Sequence, residues 1–292
     1  MRNLEKYKGV IPAFYACYDK EGNISPEGVQ GLTKYFVKKG VKGVYVNGSS
    51  GECIYQSVED RKIVLENVMK VAEGKLTVIA HVACNNTKDS QELARHAEGL
   101  GVDAIAAIPP IYFHLPEYAI AQYWNAISAA APNTDFVIYN IPQLAGVALT
   151  QNLFAEMRKN PNVIGVKNSS MPVQDIQMFK QAAGAEYIIF NGPDEQFMSG
   201  RVIGAEGAIG GTYGAMPELY LKLDECINAG KMTEARKIQY ACNEIIYKMC
   251  SAHGNMYAVG AVREPLPALV DEDMEIVKEA AQMICDAKKK FL

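Results

Sequence analysis

The stretch Asn162-Val-Ile-Gly-Val-Lys-Asn-Ser-Ser170 is a short apolar run, rich in β-branched residues, that ends in a lysine followed by small polar residues. This pattern predicts a buried strand with Lys167 at its carboxyl end. Burial lowers the pKa of an ammonium group toward the range in which the neutral amine attacks a carbonyl carbon. Lys167 is therefore a candidate Schiff-base nucleophile. The alternative is an ordinary surface lysine at the start of a loop.

Apolar runs of strand length alternate along the chain with longer segments of helical period. Strand signals occur at residues 9–15, 43–47, 76–82, 104–108, 136–139, 163–167, 187–191 and 207–210. Helix-start signals occur at Ser25-Pro26-Glu27, Ser57-Val-Glu-Asp60 and Thr87-Lys-Asp-Ser90. Eight strands that each precede a helix predict an α/β fold, a TIM (β/α)8 barrel with a parallel sheet and crossover helices.

Three further amphipathic segments, at residues 217–229, 233–250 and 271–291, follow the eighth strand without another strand between them. They predict a C-terminal helical extension of the barrel. We therefore expect residues 1–216 to form the barrel with the active site and residues 217–292 to extend the same domain. The chain shows no linker, low-complexity tract or repeat beyond the βα period.

The composition argues against several classes of protein. Of the 292 residues, 49% are hydrophobic and 21% are charged, which allows a large core and excludes wholesale disorder. A net charge of −4 without a basic run argues against nucleic acid or an anionic membrane as a partner. The seven cysteines form no CxxC pair, the start of the chain has no apolar leader, and no run is long enough to span a bilayer. We expect a cytoplasmic protein with no metal site and with a small molecule as its ligand.

The residues that close the strands are candidates for chemistry, because the active site of a TIM barrel lies at the carboxyl ends of its strands. Asn47-Gly-Ser-Ser-Gly-Glu52 offers backbone amides and the hydroxyls of Ser49 and Ser50 as a cradle for a carboxylate. The alternative for this segment is an ordinary turn. Tyr139, just before Pro142, places a phenol where it could transfer a proton beside a neutral lysine, and the alternative is a packed aromatic side chain.

Two later strand ends carry further candidates. Asp194 and Glu195 close the stretch Phe190-Asn-Gly-Pro-Asp-Glu195, where they could bind the hydroxyls of a polyol or cap the next helix. The small residues of Gly207-Ala-Ile-Gly-Gly-Thr-Tyr213 either leave room for a ligand or pack tightly.

Five motifs occur in one order along the chain: Gly48-Ser-Ser-Gly-Glu52, Tyr139-Asn-Ile-Pro142, Gly165-Val-Lys167, Gly192-Pro-Asp-Glu195 and Gly207-Ala-Ile-Gly210. Together they resemble the dihydrodipicolinate synthase / N-acetylneuraminate lyase family over almost the whole chain. The resemblance implies a TIM-barrel class I aldolase that binds pyruvate or another 2-keto acid as a lysine Schiff base. It makes Lys167 the Schiff-base lysine and Tyr139 the proton-transfer residue, and it assigns Ser49 and Ser50 to the keto-acid carboxylate.

The resemblance also implies an oligomer. Tyr112, in Pro109-Pro-Ile-Tyr112, is at the position where family members lend a tyrosine across a subunit interface. We therefore expect a homo-oligomer, which in the family is a tetramer.

One turn indicates the branch of the family. Synthase members carry an arginine after Tyr-Asn-Xaa-Pro that binds the second substrate's carboxylate in a bidentate manner, and here Leu144 replaces it. The lyase branch is similar in this respect. The lyase positions that hold the glycerol tail and the sugar hydroxyls are matched by Ser169, Gly192, Asp194 and Glu195. Gly211 departs from the lyase pattern, which has a serine there, so one substrate hydrogen bond is absent or comes from Thr212.

The expected reaction is cleavage of N-acetylneuraminate to pyruvate and N-acetylmannosamine without a cofactor. The alternatives are a 2-keto-3-deoxy sugar acid aldolase, a dihydrodipicolinate synthase or, from a different class, a non-catalytic keto-acid-binding barrel. Residues 254–263, before Arg263-Glu-Pro-Leu266, look shorter than the same segment in family members. If this is a true deletion, we expect it to weaken sugar binding and the tetramer.

Overall fold

A computed structural model describes residues 3–253 and 258–292 of the chain. Eight parallel strands form one sheet: β1 (Gly9–Pro12), β2 (Gly43–Val46), β3 (Thr77–His81), β4 (Ala104–Ala107), β5 (Asp135–Asn140), β6 (Val163–Asn168), β7 (Ile188–Asn191) and β8 (Gly207–Gly210). Consecutive strands from β2 to β8 are hydrogen-bonded neighbours, and β8 also pairs with β1. The last edge, between β1 and β2, is joined where the Phe14 N–H donates to the Tyr45 carbonyl at 2.9 Å. The sheet is therefore a nearly closed barrel, and the prediction of a TIM barrel is confirmed.

Helices occupy every gap between consecutive strands and follow the last strand. They are α1 (Pro26–Lys39), α2 (Val58–Ala72), α3 (Thr87–Gly99), α4 (Glu117–Ala130), α5 (Pro142–Ala145), α6 (Gln151–Met157), α7 (Gln174–Ala183), α8 (Phe197–Ile203), α9 (Pro217–Asn228), α10 (Met232–Met249) and α11 (Asp271–Phe291). The first amides of a helix lack intrahelical acceptors, so capping side chains fix where it begins. Ser25 caps α1 as predicted, and Ser57 forms a capping box with Asp60 at the start of α2. The cap of α3 is Asn86, which accepts from the Asp89 N–H at 2.8 Å, one residue before the predicted signal.

The first predicted strand is shorter in the structure than in the sequence pattern. β1 ends at Pro12, and Ala16–Cys17 forms a separate strand that pairs with Ala258–Val259. This short two-stranded sheet joins the segment after β1 to the C-terminal part of the chain. Residues 254–257 of the segment with the suspected deletion lie outside the described residues.

Two layers of apolar side chains hold the barrel together. The inner layer fills the barrel and includes Tyr7, Ile11, Tyr45, Ile79, Val137, Tyr139, Ile164, Ile188, Phe190 and Ile209. The outer layer lies between the strands and the helices and includes Val163 and Val166 of β6. Neighbouring strands approach so closely that a Cβ at Gly165 would lie 1.8 Å from the Ile188 carbonyl oxygen. Because side chains fill the interior, we expect a ligand of the barrel to bind at its mouth and not along its axis.

The three helices after β8 begin close to the predicted positions. Leu219, Tyr220 and Leu223 of α9 are buried in a cluster with Val10 of β1 and Ala208 of β8, so α9 packs on the barrel. Residues of α10 and α11 complete this cluster. The division of the chain at residue 216 stays a prediction. None of the described helices is long and apolar enough to cross a lipid bilayer.

Candidate active site

Lys167 faces the mouth of the barrel because β6 contains a bulge. Two consecutive residues of β5 pair with Val163 and Gly165, so Ile164 is an extra residue in β6. Side chains alternate between the faces of a strand, and one extra residue moves all later side chains to the opposite face. Val163 packs in the outer layer, whereas Lys167, four residues further on, is turned to the inside.

The Lys167 amine lies between two aromatic rings. Its Nζ is 3.7 Å from the centre of the Tyr139 ring and 4.2 Å from the centre of the Tyr45 ring. The lysine is buried, and within residues 3–253 and 258–292 no carboxylate forms an ion pair with it. Tyr139 is the pairing neighbour of Lys167 on β5, which explains their proximity. The alternative of an ordinary surface lysine is therefore wrong for Lys167.

A cavity of about 310 Å³ opens at the carboxyl ends of the strands. Nine of the ten predicted site residues line it: Ser49, Ser50, Tyr139, Lys167, Ser169, Gly192, Asp194, Glu195 and Gly211. The strand ends thus meet at one edge of the barrel, as the fold requires. Gln143 and Met171 line the same cavity and were not predicted.

The Ser49–Gly51 turn is held in place from below by a buried polar network. Asn47, in a left-handed conformation with φ 59°, donates from its side chain to the Arg61 carbonyl at 2.8 Å. The His81 ring contacts the Asn47 carbonyl through Nδ1 at 2.9 Å. Burial, with a smaller effect of the Arg61 charge, holds the pKa of His81 well below its usual range. A neutral His81 therefore donates from Nδ1 and supports the serine turn.

Asp194 is fixed by the turn that follows β8. Its Oδ2 accepts from the Thr212 N–H at 2.6 Å and from the Thr212 hydroxyl at 2.5 Å. Burial raises the pKa of Asp194 to about 6, although these two hydrogen bonds act in the opposite direction. Asp194 accepts hydrogen bonds from Thr212 and does not cap the next helix, because α8 begins without a side-chain cap. The Thr212 hydroxyl donates to Asp194, and Thr212 is not among the residues that line the cavity.

Small residues around the cavity are required by close contacts. A Cβ at Gly210 would lie 1.9 Å from Asp194 Oδ1, and a Cβ at Gly192 would lie 2.0 Å from the Ser169 Oγ. Both positions therefore need glycine for the neighbouring polar side chain to keep its place. Gly210 and Gly211 both line the cavity, and Gly210 is in addition tightly packed against Asp194.

Two predicted positions lie away from the lysine. Tyr112 is 85% exposed and has φ 81°. Among the described aromatic contacts its ring meets only Phe113, edge-on, with ring centres 4.9 Å apart. It does not line the lysine cavity of its own chain. Leu144 is 61% exposed and borders a second, neighbouring cavity of about 690 Å³ that shares Ser49 and Ser50 with the first.

Sequence reasoning missed Tyr45 and His81, and it considered Thr212 only as a replacement for the missing serine, not as the partner of Asp194. Only the ends of the predicted strands were inspected. Tyr45 lies inside β2, and His81 ends β3 one residue before the predicted end at residue 82. The alternation of side chains along a strand would have found Tyr45, because every second residue of β2 faces the interior. Among the described residues, no group of three or more His, Cys, Asp or Glu side chains is arranged to hold a metal ion.

A family model, the Dihydrodipicolinate synthetase family, matches residues 6–272. The chain belongs to this family. This assignment agrees with the five motifs and with the position of Lys167 near the end of β6.

Relatives within the family are similar over nearly their full length. An N-acetylneuraminate lyase from Mediterraneibacter gnavus is 95% identical over 305 positions, covering 100% of this chain and 97% of the relative. That alignment has 305 positions against the 292 residues of this chain, a difference of 13. An N-acetylneuraminate lyase from Salmonella agona is 31% identical over 96% of this chain and 98% of the relative.

Solved structures in the family have the same fold. A catalytic lysine mutant of a Ruminococcus gnavus sialic acid aldolase superposes with a TM-score of 0.99, at 94% identity and over 100% of both chains. A dihydrodipicolinate synthase from Bacillus anthracis is 21% identical with a TM-score of 0.89 over 94% of this chain and 98% of the other. At that identity the second structure shows the shared barrel alone.

Proposed function

We propose that this chain is a class I aldolase that cleaves N-acetylneuraminate to pyruvate and N-acetylmannosamine through a Schiff base on Lys167. One observation carries the proposal: the buried Lys167 amine lies in a cavity 3.7 Å from the Tyr139 ring centre and has no carboxylate ion-pair partner among the described residues. Such an amine is available to attack a carbonyl carbon. The names of the two related lyases support the choice of substrate.

The reaction begins with binding of the open-chain keto acid. The hydroxyls and amides of the Ser49–Gly51 turn hold the carboxylate, so that C2 faces the Lys167 Nζ. The neutral amine attacks C2, and a proton from solvent lets the C2 oxygen leave as water, which gives a protonated imine. Tyr139 then accepts the proton of the C4 hydroxyl and passes its own phenol proton to solvent as the C3–C4 bond breaks. The bonding electrons move to the imine, which becomes an enamine, and N-acetylmannosamine leaves.

Product release restores the enzyme. A proton returns to C3 of the enamine, water hydrolyses the imine, and pyruvate leaves the free lysine. The steps as written need no cofactor and no metal ion. Asp194, Glu195 and Ser169 line the same cavity as Lys167 and Tyr139, and we assign them to the sugar hydroxyls. Fixed acceptors of this kind position the C4 hydroxyl for proton transfer.

Two further points belong to the proposal. Tyr112 and Phe113 are 85% and 71% exposed, which supports a homo-oligomer in which Tyr112 completes the cavity of a neighbouring copy. All seven cysteines are free thiols, which supports a reducing compartment such as the cytoplasm.

Trapping the imine tests the proposal. Borohydride added with pyruvate should load one site per chain, and peptide mapping should place the adduct on Lys167. Lys167→Arg should abolish loading, because a guanidinium stays protonated and cannot form the imine. The matched control is Lys159→Arg, at an exposed lysine, which should load like the unmodified chain. An adduct on another lysine, or none, contradicts the proposed chemistry.

Steady-state release of pyruvate then distinguishes the proposed function from its alternatives. We expect catalytic release from N-acetylneuraminate and slower release from 2-keto-3-deoxy sugar acids. Loading of Lys167 without turnover of any 2-keto acid would identify a keto-acid-binding barrel instead.

A further inference from the structure

We infer that Tyr45 is a positioning residue for Lys167, and that it acts through the face of its ring rather than through its hydroxyl. The inference rests on the proposed function, because it concerns the amine that forms the imine. No role for Tyr45 follows from the steps described above.

The Lys167 amine is held between two ring faces. Its Nζ lies 4.2 Å from the Tyr45 ring centre and 3.7 Å from the Tyr139 ring centre, both well inside the range of about 6 Å for cation–π attraction. The ammonium form and the protonated imine both carry positive charge at this nitrogen. No described carboxylate is close enough to form an ion pair with Nζ, although the charges of Asp194 and Lys167 act on each other, so the two ring faces are the groups in direct contact with the amine.

The Tyr45 ring is itself held from several sides. Tyr45 is fully buried on β2. A Cβ at Gly48 would lie 2.7 Å from its Cε1, so the ring rests against the backbone that starts the serine turn. Its centre is 5.7 Å from the edge-on Tyr139 ring and 6.1 Å from the tilted His81 ring. One ring therefore sets the relative positions of the amine, the proton-transfer phenol and the serine turn.

The hydroxyl of Tyr45 contributes nothing to this arrangement. The atom is buried and has no hydrogen-bond partner among the described residues. Burial raises the pKa of Tyr45 well above its usual range, so the group stays neutral. Removing the hydroxyl therefore leaves the contacts of the ring unchanged, and Tyr45→Phe is the matched control for changes to the ring face.

Ionisable groups on the surrounding elements also act on the amine. Asp194 and Glu195 enter the cavity from the segment after β7, and Tyr139 enters it from β5. His81 lies on β3, the Arg61 charge lies on α2, and the Cys53 thiol follows the serine turn. The pKa of Asp194 is raised by burial to about 6, so its ionisation affects any pH profile of the site. These groups are the same in every variant at position 45, and differences between such variants report on the ring alone.

A series of fluorinated phenylalanines at position 45 tests the inference. Starting from Tyr45→Phe, one, two and three ring fluorines are introduced; fluorine withdraws electrons from the ring face with little change of shape. The measurement is the pH profile of pyruvate trapping on Lys167 with cyanoborohydride. We expect Tyr45→Phe to trap within twofold of the unmodified chain. The midpoint should then move stepwise to lower pH by about one unit in total, or about 1.4 kcal/mol, because a weaker ring face favours the charged amine less.

The outcomes separate the inference from the proposed function. An unmodified chain that does not trap pyruvate on Lys167 would remove the proposed function itself. Trapping that occurs with the same midpoint throughout the series would overturn the role of the ring. A loss of more than tenfold in Tyr45→Phe would also overturn it, because the hydroxyl would then be the active part. The same fluorinated series at Phe136, a buried ring of the outer layer, should leave the midpoint unchanged.

Discussion

Replacing Asp194 with asparagine should stabilise the protein and impair sugar cleavage. Burial raises the pKa of Asp194 from the ordinary value of 3.8 to about 6. The folded state therefore binds this proton more tightly than the unfolded chain does. Stability falls as the pH rises through the interval between these two values, and the loss is complete at neutral pH. At 1.36 kcal/mol for each pKa unit, ionisation of the buried carboxyl lowers the free energy of unfolding by about 3 kcal/mol at pH values above about 6.

Asparagine has the same shape and stays neutral, and its Oδ1 can still accept both hydrogen bonds from Thr212. We expect Asp194→Asn to raise the free energy of unfolding by about 1–3 kcal/mol at pH 8 and by nearly nothing at pH 4, as measured by urea denaturation. Pyruvate trapping on Lys167 should persist, because the amine that forms the imine is unchanged. Cleavage of N-acetylneuraminate should fall about tenfold, because a hydrogen bond to a charged acceptor is about 1–2 kcal/mol stronger than one to a neutral amide.

The control is Glu195→Gln, which alters the neighbouring carboxylate of the same cavity. Glu195 is only partly buried, so this change should leave stability within about 0.5 kcal/mol at both pH values. An Asp194→Asn protein that is less stable than the parent at pH 8, or whose gain is equal at pH 4 and pH 8, would refute the reasoning.

Three further predictions follow from the site and the extension. Tyr139→Phe should keep pyruvate trapping but lose about two to four orders of magnitude in cleavage, and unchanged turnover would remove Tyr139 from the mechanism. With Leu144 in place of an arginine, condensation of pyruvate with aspartate semialdehyde should be unmeasurable, and efficient synthesis would overturn the assignment to the lyase branch. Burial opposes ionisation of Glu218, but hydrogen bonds from Lys288 and Lys39 lower its pKa to about 2. Its charge therefore stabilises the fold above about pH 4.5, and this is lost as the pH falls toward 2. After allowance for solvent, Glu218→Gln should cost about 1–2 kcal/mol at pH 7 in urea denaturation, and an equal cost at pH 2 would contradict this account.

The number and direction of the strands were predictable because each strand is a short apolar run between helix signals. The exception, residues 9–15, shows the limit of that pattern. The apolar run there continues past Pro12, but the backbone leaves the barrel and pairs again at Ala16–Cys17 with a segment more than 200 residues away. Local periodicity carries no signal for a partner at that distance.

The site was predictable where a residue closes a strand and unpredictable where tertiary contacts decide its role. Lys167 and Asp194 stand at strand ends, and the barrel brings them into one cavity. The raised pKa of Asp194 could not be predicted, because it depends on burial beside Thr212. Nor could the contact between Lys167 and Tyr45, which are 122 positions apart in sequence and meet only across the barrel.

The bulge at Ile164 makes the chain more sensitive to deletions than to substitutions. Which way the lysine points is determined by how many residues precede it in β6, whatever those residues are. Loss of any one codon between 163 and 166 therefore leads to the same outcome, a lysine that faces the helices and does not react with pyruvate. Point mutations at Val163, Ile164 or Val166 preserve the count and leave the lysine facing inward, whereas Gly165 has no room for a side chain. Borohydride trapping on a chain that lacks Ile164 tests this. If the shortened chain still forms the adduct on Lys167, a neighbouring residue must have become the extra residue of the bulge.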